Sequence, residues 1–322
     1  MSSRGRRFDR AEPRLERDSS AQAGLQPGLV VATHGRHCIV ETPARTRLIC
    51  HPRGKKSEVV VGDQVRWRTT GDEGVIEQIE PRRNLFFRQD EWRSKSFAAN
   101  LDQLLVWIAV EPVFSEMQLT RALIAADAAG IPATIVLNKV DLPGTEAARL
   151  RLAPYRAMGL TVLECSLRGT PDEARSLLLP RLHGQASLVL GPSGAGKSTL
   201  INALAPHAKA EVGAISQALN SGRHTTTTTQ WYWLDGAEGE AGTALIDSPG
   251  FQEFGLHHVP VADLARHMPD LARYIGECRF HNCTHLHEPG CAVRAAADAG
   301  TISPHRLKLY ADLHAELSQP RW

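Results

Sequence analysis

Hydrophobic and polar positions alternate over short distances in the first third of the chain. Between residues 28 and 95, glycine-containing turns separate short apolar stretches whose every second residue is polar, a pattern typical of half-buried strands. Five such short strands favour a small closed β-barrel, and the oligonucleotide-binding (OB) fold is the natural candidate. The predicted strands are 29–33, 37–41, 46–50, 64–68 and 74–79.

The pattern changes after residue 96 to longer, alternating strands and helices. An apolar strand at 103–110 precedes a helix at 115–129 that ends at Gly130, and a second buried strand follows at 131–137. Thr170 is expected to cap a further helix, with Pro171 at its first position. This alternation predicts a mostly parallel sheet covered on both faces.

The hydrophobic pattern therefore predicts a multi-domain chain that ends in a mainly α-helical unit. Residues 304–317 form the amphipathic pattern of a closing helix. Residues 1–27 are rich in Arg, Asp, Glu and Ser and cannot bury enough apolar surface to fold, so they predict a disordered tail, better explained as a solvated extension than as an RNA-binding arm. The predicted units are the tail at 1–27, the barrel at 28–95, the α/β domain at 96–256 and a C-terminal domain at 257–322.

Composition supports a soluble protein with several cores. The chain has 322 residues, of which 42% are hydrophobic and 22% charged, and its formal net charge is only +2. Any nucleic-acid binding must therefore come from local basic patches. The longest apolar run, 104–110, is too short to span a bilayer, and no signal-peptide core is present, so we expect a cytoplasmic protein without membrane contact.

A complete phosphate-binding loop lies between a predicted strand and a predicted helix, at 191–198. Its glycines allow backbone N–H groups to surround anionic oxygens, Lys197 reaches the β and γ phosphates, and the Ser198 hydroxyl is placed to bind Mg²⁺. The residues assigned to this loop are Gly191, Ser193, Gly194, Ala195, Gly196, Lys197, Ser198 and Thr199.

A guanine-binding element follows the strand at 131–137. The carboxylate of Asp141 can accept hydrogen bonds from the ring N–H and the exocyclic amine of guanine, a pair that adenine does not offer. Asn138 and Lys139 would brace the base and the loop. Cys165 and Ser166, from the segment 164–167, are assigned to the same nucleotide site. The sequence therefore predicts GTP and GDP as ligands.

Two further segments complete a GTPase. Asp247 and Gly250 form a DxxG element, in which Asp247 would hold Mg²⁺ and the Gly250 N–H would sense the γ phosphate. The threonine run at 225–229 lies between this element and the phosphate loop and would supply a Mg²⁺ ligand, for which Thr226 is chosen. Because the guanine element precedes the phosphate loop, the domain is predicted to be circularly permuted, which surface termini permit.

Cysteines cluster near the C-terminus. Cys278, Cys283 and Cys291 lie within fourteen residues and fit a tetrahedral structural zinc site, while the other cysteines are isolated in sequence. On spacing alone, three histidines compete for the fourth position: His281, His285 and His287.

Basic and aromatic residues are interleaved around the end of the predicted barrel. Arginines pair with phosphates and aromatic rings stack on bases, so the cluster is a candidate RNA-binding surface, although charge runs are usually only solvated. A basic loop is also expected at 50–56. The residues of the cluster are Arg82, Arg83, Arg88, Arg93 and Lys95 with Trp67, Phe86, Phe87 and Trp92.

Together, the permuted order, the segment 222–227, the element 247–251 and the Cys-x4-Cys-x-His-x5-Cys pattern resemble the RsgA (YjeQ) family of small-ribosomal-subunit-dependent GTPases. The resemblance covers nearly everything after residue 27. It implies an N-terminal OB-fold, a central permuted GTPase and a C-terminal zinc domain that act late in bacterial small-subunit maturation, as a checkpoint or release factor that contacts rRNA. It also selects His285 as the fourth zinc ligand. We expect a monomer. The chain departs from the family in its Arg-rich tail and in the loop 231–242.

Hydrolysis is expected to be slow without a partner. Where Ras-like enzymes carry a glutamine that orients the attacking water, this chain has Phe251, which cannot hydrogen-bond to it. We hypothesise that the subunit orders the threonine run and brings His224 towards the water. His224 could instead only pack or contact RNA. At the level of the whole chain, the alternatives are a metabolic or regulatory GTPase and an RNA-binding module that merely retains nucleotide.

Overall fold

The computed structural model describes residues 24–54, 58–89, 94–206, 229–234, 242–249 and 254–319. Along the chain these residues form a barrel, a central α/β unit and a C-terminal helical unit. Within these ranges, no helix combines the length and the apolar character needed to cross a membrane.

Five strands close the N-terminal barrel, as the alternating pattern predicts. They pair in the order β1-β2-β3-β5-β4, and β4 pairs again with β1. The inward-facing residues include Val40, Val65 and Trp67, all nearly inaccessible to solvent. The strands are β1 (Gln26–His34), β2 (His37–Glu41), β3 (Arg47–Pro52), β4 (Gln64–Thr70) and β5 (Glu73–Ile79).

A two-stranded hairpin follows the barrel and was not predicted from the sequence. It consists of β6 (Leu85–Gln89) and β7 (Ser94–Ala99). Phe86 and Phe97 on this hairpin pack against Phe254, with ring centroids 5.7 and 6.0 Å from that of Phe254. The hairpin thus joins the barrel to the later part of the chain. Since β7 runs across residue 95, the predicted domain limits stay a prediction.

The central unit is a mostly parallel sheet, which confirms the expected α/β architecture. Strands β10, β9, β8, β11 and β13 are parallel and lie side by side in that order, and β12 pairs with β13 in the antiparallel direction. The strands are β8 (Gln103–Ala109), β9 (Ala133–Asn138), β10 (Thr161–Cys165), β11 (Ala186–Leu190), β12 (Gln230–Trp233) and β13 (Ala244–Asp247). The helices are α1 (Glu116–Ala128), α2 (Thr145–Ala157), α3 (Pro171–Leu182) and α4 (Lys197–Leu204).

Helices cover both faces of this sheet, and side chains alternate between the two faces along each strand. On β8, the side chains of Leu104, Val106 and Ile108 pack in the core shared with α1 and α2. Those of Leu105 and Trp107 pack in the core shared with α3 and α4. Trp107 therefore lies beneath the helix that follows the phosphate loop.

The predicted cap at Thr170 is wrong in detail, whereas α1 has a regular one. Ser115 caps α1 by accepting a hydrogen bond from the Gln118 N–H at 3.3 Å. Thr170 does precede α3, but its hydroxyl makes no capping bond. Its N–H is held by the Ser166 carbonyl at 3.0 Å, in a turn with φ −136° and ψ 69°, outside the usual extended geometry of a capping residue.

The C-terminal unit is mainly helical and docks on the central unit. The Arg306 guanidinium binds both carboxylate oxygens of Asp270, at 2.8 and 3.1 Å, and donates to the Thr120 hydroxyl of α1 at 2.8 Å. Its elements are a 3-10 helix (Val261–His267), α5 (Pro269–Ala272), α6 (Ala292–Asp298) and α7 (Pro304–Leu317), the last as predicted.

The barrel and the central sheet are continuous. Strand β1 pairs with β12 at Ala32 and Gln230, so the two units share one eleven-stranded sheet. Close by, the Trp233 indole donates to the Glu41 carboxylate at 2.7 Å, and the Arg45 guanidinium lies 3.8 Å from the centre of its ring. The strand that leads towards the DxxG element is thereby fastened to the barrel.

Candidate functional site

Four of the predicted nucleotide-binding segments meet at one edge of the sheet. Parallel strands β10, β9, β11 and β13 present their carboxyl ends together, and the segments that begin at Asn138, Cys165, Gly191 and Asp247 lie where these strands end. The threonine run lies outside the described residues except for Thr229. Open α/β sheets bind ligands at this edge. We call it the carboxyl edge.

The phosphate loop connects β11 to α4 in a tight turn that requires glycine. Gly194 and Gly196 have φ values of 80° and 101°, which disfavour other residues. A Cβ atom at Gly191 would collide with the carbonyl oxygen of Trp107. The sequence predicted the glycines, but only the structure shows the surface on which the loop rests.

Lys197 lies folded back over the phosphate loop. Its ammonium group donates to the carbonyls of Gly191 and Pro192 at 2.7 and 3.0 Å, and the residue is only 9% exposed. Burial lowers the pKa of Lys197, although the charge of Asp247 opposes that shift. An anionic ligand at this position would therefore be stabilised by a cation that lacks full hydration. Elsewhere in the loop, Ala195 is buried, Thr199 is half-buried, and Ser193, Gly194 and Ser198 are exposed.

Asn138 links the guanine element to the phosphate loop. Its side-chain amide donates to the carbonyl of Ala195 at 2.9 Å and accepts from the Leu167 N–H at 3.3 Å. The structure thus joins three segments that are far apart in sequence. Cys165 lies beside them, and burial raises the pKa of its thiol to about 12, so it stays protonated at neutral pH.

Asp141 is exposed at the carboxyl edge and is oriented by a second residue. The Ser166 hydroxyl donates to its carboxylate and accepts from the Gly169 N–H at 2.9 Å. Lys139 adopts a left-handed conformation with φ 64°, and its ammonium group donates to the Glu111 carbonyl at 2.6 Å. A fixed carboxylate at this position can accept two donors from one ligand.

Asp247 ends β13 at the carboxyl edge and is 5% exposed. The hydroxyl of the next residue, Ser248, donates to the Val189 carbonyl at 2.7 Å and fixes this turn against β11. The predicted residues His224, Thr226 and Gly250, together with Phe251, lie outside the described residues.

The C-terminal cysteines form a candidate metal centre. One ligand atom each from Cys278, Cys283, His285 and Cys291 lies within 4.8 Å of the others. The Nδ1 atom of His285 is 3.5 Å from the Sγ atoms of both Cys278 and Cys291. Three sulfurs and one imidazole nitrogen are a donor set typical of structural zinc. The histidine in this group is the one that the family resemblance selected.

Glu288 organises the loop that carries these ligands, a role that spacing did not suggest. Its carboxylate accepts from the Thr284 N–H at 2.8 Å and from the N–H groups of Leu286 and His287, both at 3.2 Å. Burial alone would raise the pKa of Glu288, but hydrogen bonds from the Thr284 hydroxyl and from backbone N–H groups, including those of Thr284 and His287, hold it well below its usual range. The Tyr310 hydroxyl of α7 donates to the Thr284 carbonyl at 2.7 Å and holds the loop against the helix.

The proposed stacking surface for RNA is partly wrong. Trp67 and Phe86 are 4% and 0% exposed because they fill cores, so neither ring can stack on a base. Arg82 is also engaged, since its guanidinium grips both oxygens of the buried Asp63 at 2.7 and 2.8 Å. Phe87 is half-buried against His258, with ring centroids 4.4 Å apart. Of the other residues in the predicted cluster, Arg83 forms an ion pair with Asp102, and Arg88 and Lys95 lie on the hairpin. Trp92 and Arg93 lie outside the described residues.

Comparison with known proteins gives a consistent result. A family model described as "RsgA GTPase" matches residues 79–257. A relative from Variovorax paradoxus (strain S110), named "Small ribosomal subunit biogenesis GTPase RsgA", is 60% identical over 303 residues, which cover 92% of this chain and 94% of the relative.

Solved structures agree with this match at the level of the fold. YjeQ from Thermotoga maritima has a TM-score of 0.69 and 26% identity, covering 92% of this chain and all of that one. YloQ, whose structure is described as a circularly permuted GTPase, has a TM-score of 0.67 and 24% identity over 94% of this chain and 98% of that one. The order of elements along the carboxyl edge is therefore shared with other proteins.

Proposed function

The chain belongs to the RsgA GTPase family, and from that membership we propose that it binds the small ribosomal subunit late in its maturation and hydrolyses GTP to GDP and phosphate when the subunit activates it. Hydrolysis would then release the protein, so that it acts as an assembly checkpoint. We further propose that it works in the cytoplasm, as a monomer that contacts rRNA.

One observation carries the GTPase assignment. The guanine element and the phosphate loop, which are about fifty residues apart in an unusual order, meet at the Ala195 carbonyl through Asn138. This contact supports a site that holds a guanine base and a polyphosphate at the same time. The buried ammonium of Lys197 suits the anionic end of such a ligand.

We propose the following nucleotide contacts, which combine the described geometry with the sequence motifs. Asp141 accepts two donors from guanine, Asn138, Lys139, Cys165 and Ser166 brace the base pocket, and the loop residues at 191–199 surround the phosphates. Ser198, Thr226 and Asp247 would hold Mg²⁺, which neutralises charge on the β and γ phosphates when bound. Lys197 stabilises the charge that develops on the transferred phosphoryl group, and the Gly250 N–H senses the γ phosphate.

Water activation is proposed to depend on the partner. Phe251 offers no hydrogen bond to the attacking water, so intrinsic turnover is expected to be slow. His224, brought in by the ordered threonine run, would orient that water. A His224→Ala protein whose GTP hydrolysis is stimulated by the small subunit to the full original rate would contradict this part of the proposal.

Zinc is proposed to have a structural role. Cys278, Cys283, His285 and Cys291 offer four protein ligands, the number found in structural zinc sites, whereas catalytic sites use three and leave one position to water. The metal would hold the 278–291 loop in the shape that α7 packs against.

The direct test is phosphate release from GTP by the purified protein, with and without purified small ribosomal subunits. ATP controls for nucleotide choice and large subunits control for nonspecific activation by rRNA. We expect strong stimulation only with GTP and small subunits. Turnover that the small subunit leaves unchanged would overturn the ribosomal role and leave a GTPase of another kind, whereas absence of GTP binding would overturn the nucleotide assignment itself.

A further inference from the structure

Trp107 touches the phosphate loop at a point that no sequence motif marks. It lies in β8, is completely buried, and its indole N–H donates to the carbonyl of Ala195 at 3.1 Å. The same carbonyl accepts the 2.9 Å bond from Asn138. Two side chains from neighbouring strands therefore hold one carbonyl in the middle of the phosphate loop.

This contact has a geometric consequence for the next N–H group. The peptide bond between Ala195 and Gly196 is trans, so its C=O and N–H groups point in opposite directions. When the carbonyl is held towards the sheet by Trp107 and Asn138, the Gly196 N–H must point away from the sheet. In glycine-rich loops of this kind, the outward N–H groups bind phosphate oxygens.

Trp107 supports the beginning of the same loop as well. Its own backbone carbonyl lies so close to Gly191 that a Cβ atom there would collide with it. The indole ring fills the core beneath α4 together with Val189 and Leu200. Because the ring is packed on all sides, its N–H has little freedom to leave the Ala195 carbonyl.

We propose that Trp107 is a positioning residue for the GTPase reaction: it holds the Gly196 N–H towards the phosphates and couples the guanine element to the phosphate loop through the shared Ala195 carbonyl. The proposal rests on the proposed binding of GTP. If it is right, loss of the indole N–H weakens the binding of the phosphate groups and does not change the affinity for guanosine.

The test is a Trp107→Phe variant, which keeps an aromatic ring and removes the donor. Trp67→Phe is the matched control, because Trp67 is also buried and its indole also donates to a carbonyl, that of Pro27 at 3.3 Å, but in the barrel. We expect Trp107→Phe to weaken GDP and GTP binding about three- to tenfold, with the competition constant of guanosine unchanged, while Trp67→Phe changes neither.

Three outcomes of this titration have distinct meanings. Equal losses for guanosine and GDP, or no loss for either in a folded variant, would overturn the role of Trp107. An original protein that binds no guanine nucleotide would instead overturn the proposed function. Calorimetry gives the affinities, and thermal unfolding of the ligand-free proteins checks the fold.

A second measurement needs no change at Trp107. The chain has six tryptophans, and their indole N–H signals in a ¹⁵N spectrum can be assigned by replacing the other five with Phe one at a time. We expect the remaining signal, that of Trp107, to shift when Mg²⁺ and GDP are added and to stay in place with guanosine. A Trp107 indole N–H signal whose chemical shift does not change on addition of GDP would contradict the proposal, even if Trp107→Phe failed to fold.

Discussion

At the scale of single residues, Asp141 is the proposed determinant of nucleotide choice. Its carboxylate is exposed at the carboxyl edge, and the Ser166 hydroxyl donates to one of its oxygens and limits its rotation. Hydrogen bonds to a charged acceptor contribute about 1.5–3 kcal/mol each. A change of this one group should therefore alter which base is accepted.

We predict that Asp141→Asn lowers GTP affinity by about a hundredfold or more, since two charge-assisted bonds are lost. The new amide can donate to the extra carbonyl of xanthine, so binding of xanthosine triphosphate should improve. Competition against a fluorescent guanine nucleotide measures both effects. Asp172→Asn, on the first turn of α3, is a control with the same chemistry away from the edge. If GTP affinity survives the Asp141 change, Asp141 does not contact the base.

The candidate site residues that could be predicted from the sequence all lie in short local motifs. Asn138, Asp141 and Lys197 stand at fixed spacing within short segments, so their chemistry can be inferred without knowledge of the fold. Trp107 and Glu288 could not be found in this way, because their partners are carbonyl or N–H groups whose positions depend on folding. Trp67 and Phe86 misled for a related reason: an aromatic residue beside arginines does not reveal whether it faces solvent or a core.

At the scale of elements, the 278–291 loop has little regular structure and depends on its side chains. The four candidate ligands, the hydrogen bonds of Glu288 and the Tyr310 contact hold it together. Three histidines compete for the metal on spacing alone, but only His285 lies among the cysteine sulfurs in the described part of the chain.

We predict that His285→Ala lowers the zinc content of the purified protein well below one ion per chain, whereas His281→Ala and His287→Ala retain it. The loss should also lower the thermal stability of the C-terminal unit, because metal binding contributes to folding. Elemental analysis and calorimetry measure these quantities. Equal zinc content in all three variants would exclude His285 as a ligand.

A second element-scale prediction concerns the contact between α7 and α5. Arg306 and Asp270 form a buried pair, with side chains 3% and 10% exposed. Arg306→Ala leaves the Asp270 carboxylate buried without its cation and should lower the free energy of unfolding by about 3–5 kcal/mol. The double variant Arg306→Met with Asp270→Leu removes both charges and should lose less. Denaturant titration compares them, and equal losses in both variants would show that packing, not the unpaired charge, sets the cost.

The elements themselves were largely predictable. Alternation gave the five barrel strands, and the strand–helix periodicity gave the parallel sheet and the closing helix 304–317. The hairpin of β6 and β7 was missed because both strands turn polar towards residues 89 and 94 and their apolar residues do not alternate cleanly. The missing Thr170 cap was likewise decided by a turn that propensity does not describe.

At the scale of the whole molecule, the barrel and the GTPase unit are joined through side chains around Glu41. This carboxylate is 4% exposed and binds the Trp233 indole at 2.7 Å and Arg47 at 2.8 Å. Sequence could not predict this junction, because its two sides are almost two hundred residues apart.

We predict that Trp233→Phe lowers the free energy of unfolding by about 1–3 kcal/mol, because the buried Glu41 carboxylate loses one donor while an aromatic ring remains at the position. Scanning calorimetry should show the barrel transition moving away from that of the GTPase unit. Tyr232→Phe, on the opposite face of β12, is the control and should leave the two transitions together. A single unshifted transition in Trp233→Phe would mean that the indole bond does not couple the two units.

The shared sheet also affects whether the GTPase unit can be produced without the barrel. Strand β12 has β13 on one side and β1 on the other. A shortened chain without the barrel would leave the β1 side of β12 unpaired, next to the large rings of Trp231 and Trp233. Open strand edges of this kind recruit strands from other molecules. Since β1 covers part of this edge at Ala32 and Gln230, we expect the shortened chain to self-associate more readily than the whole protein.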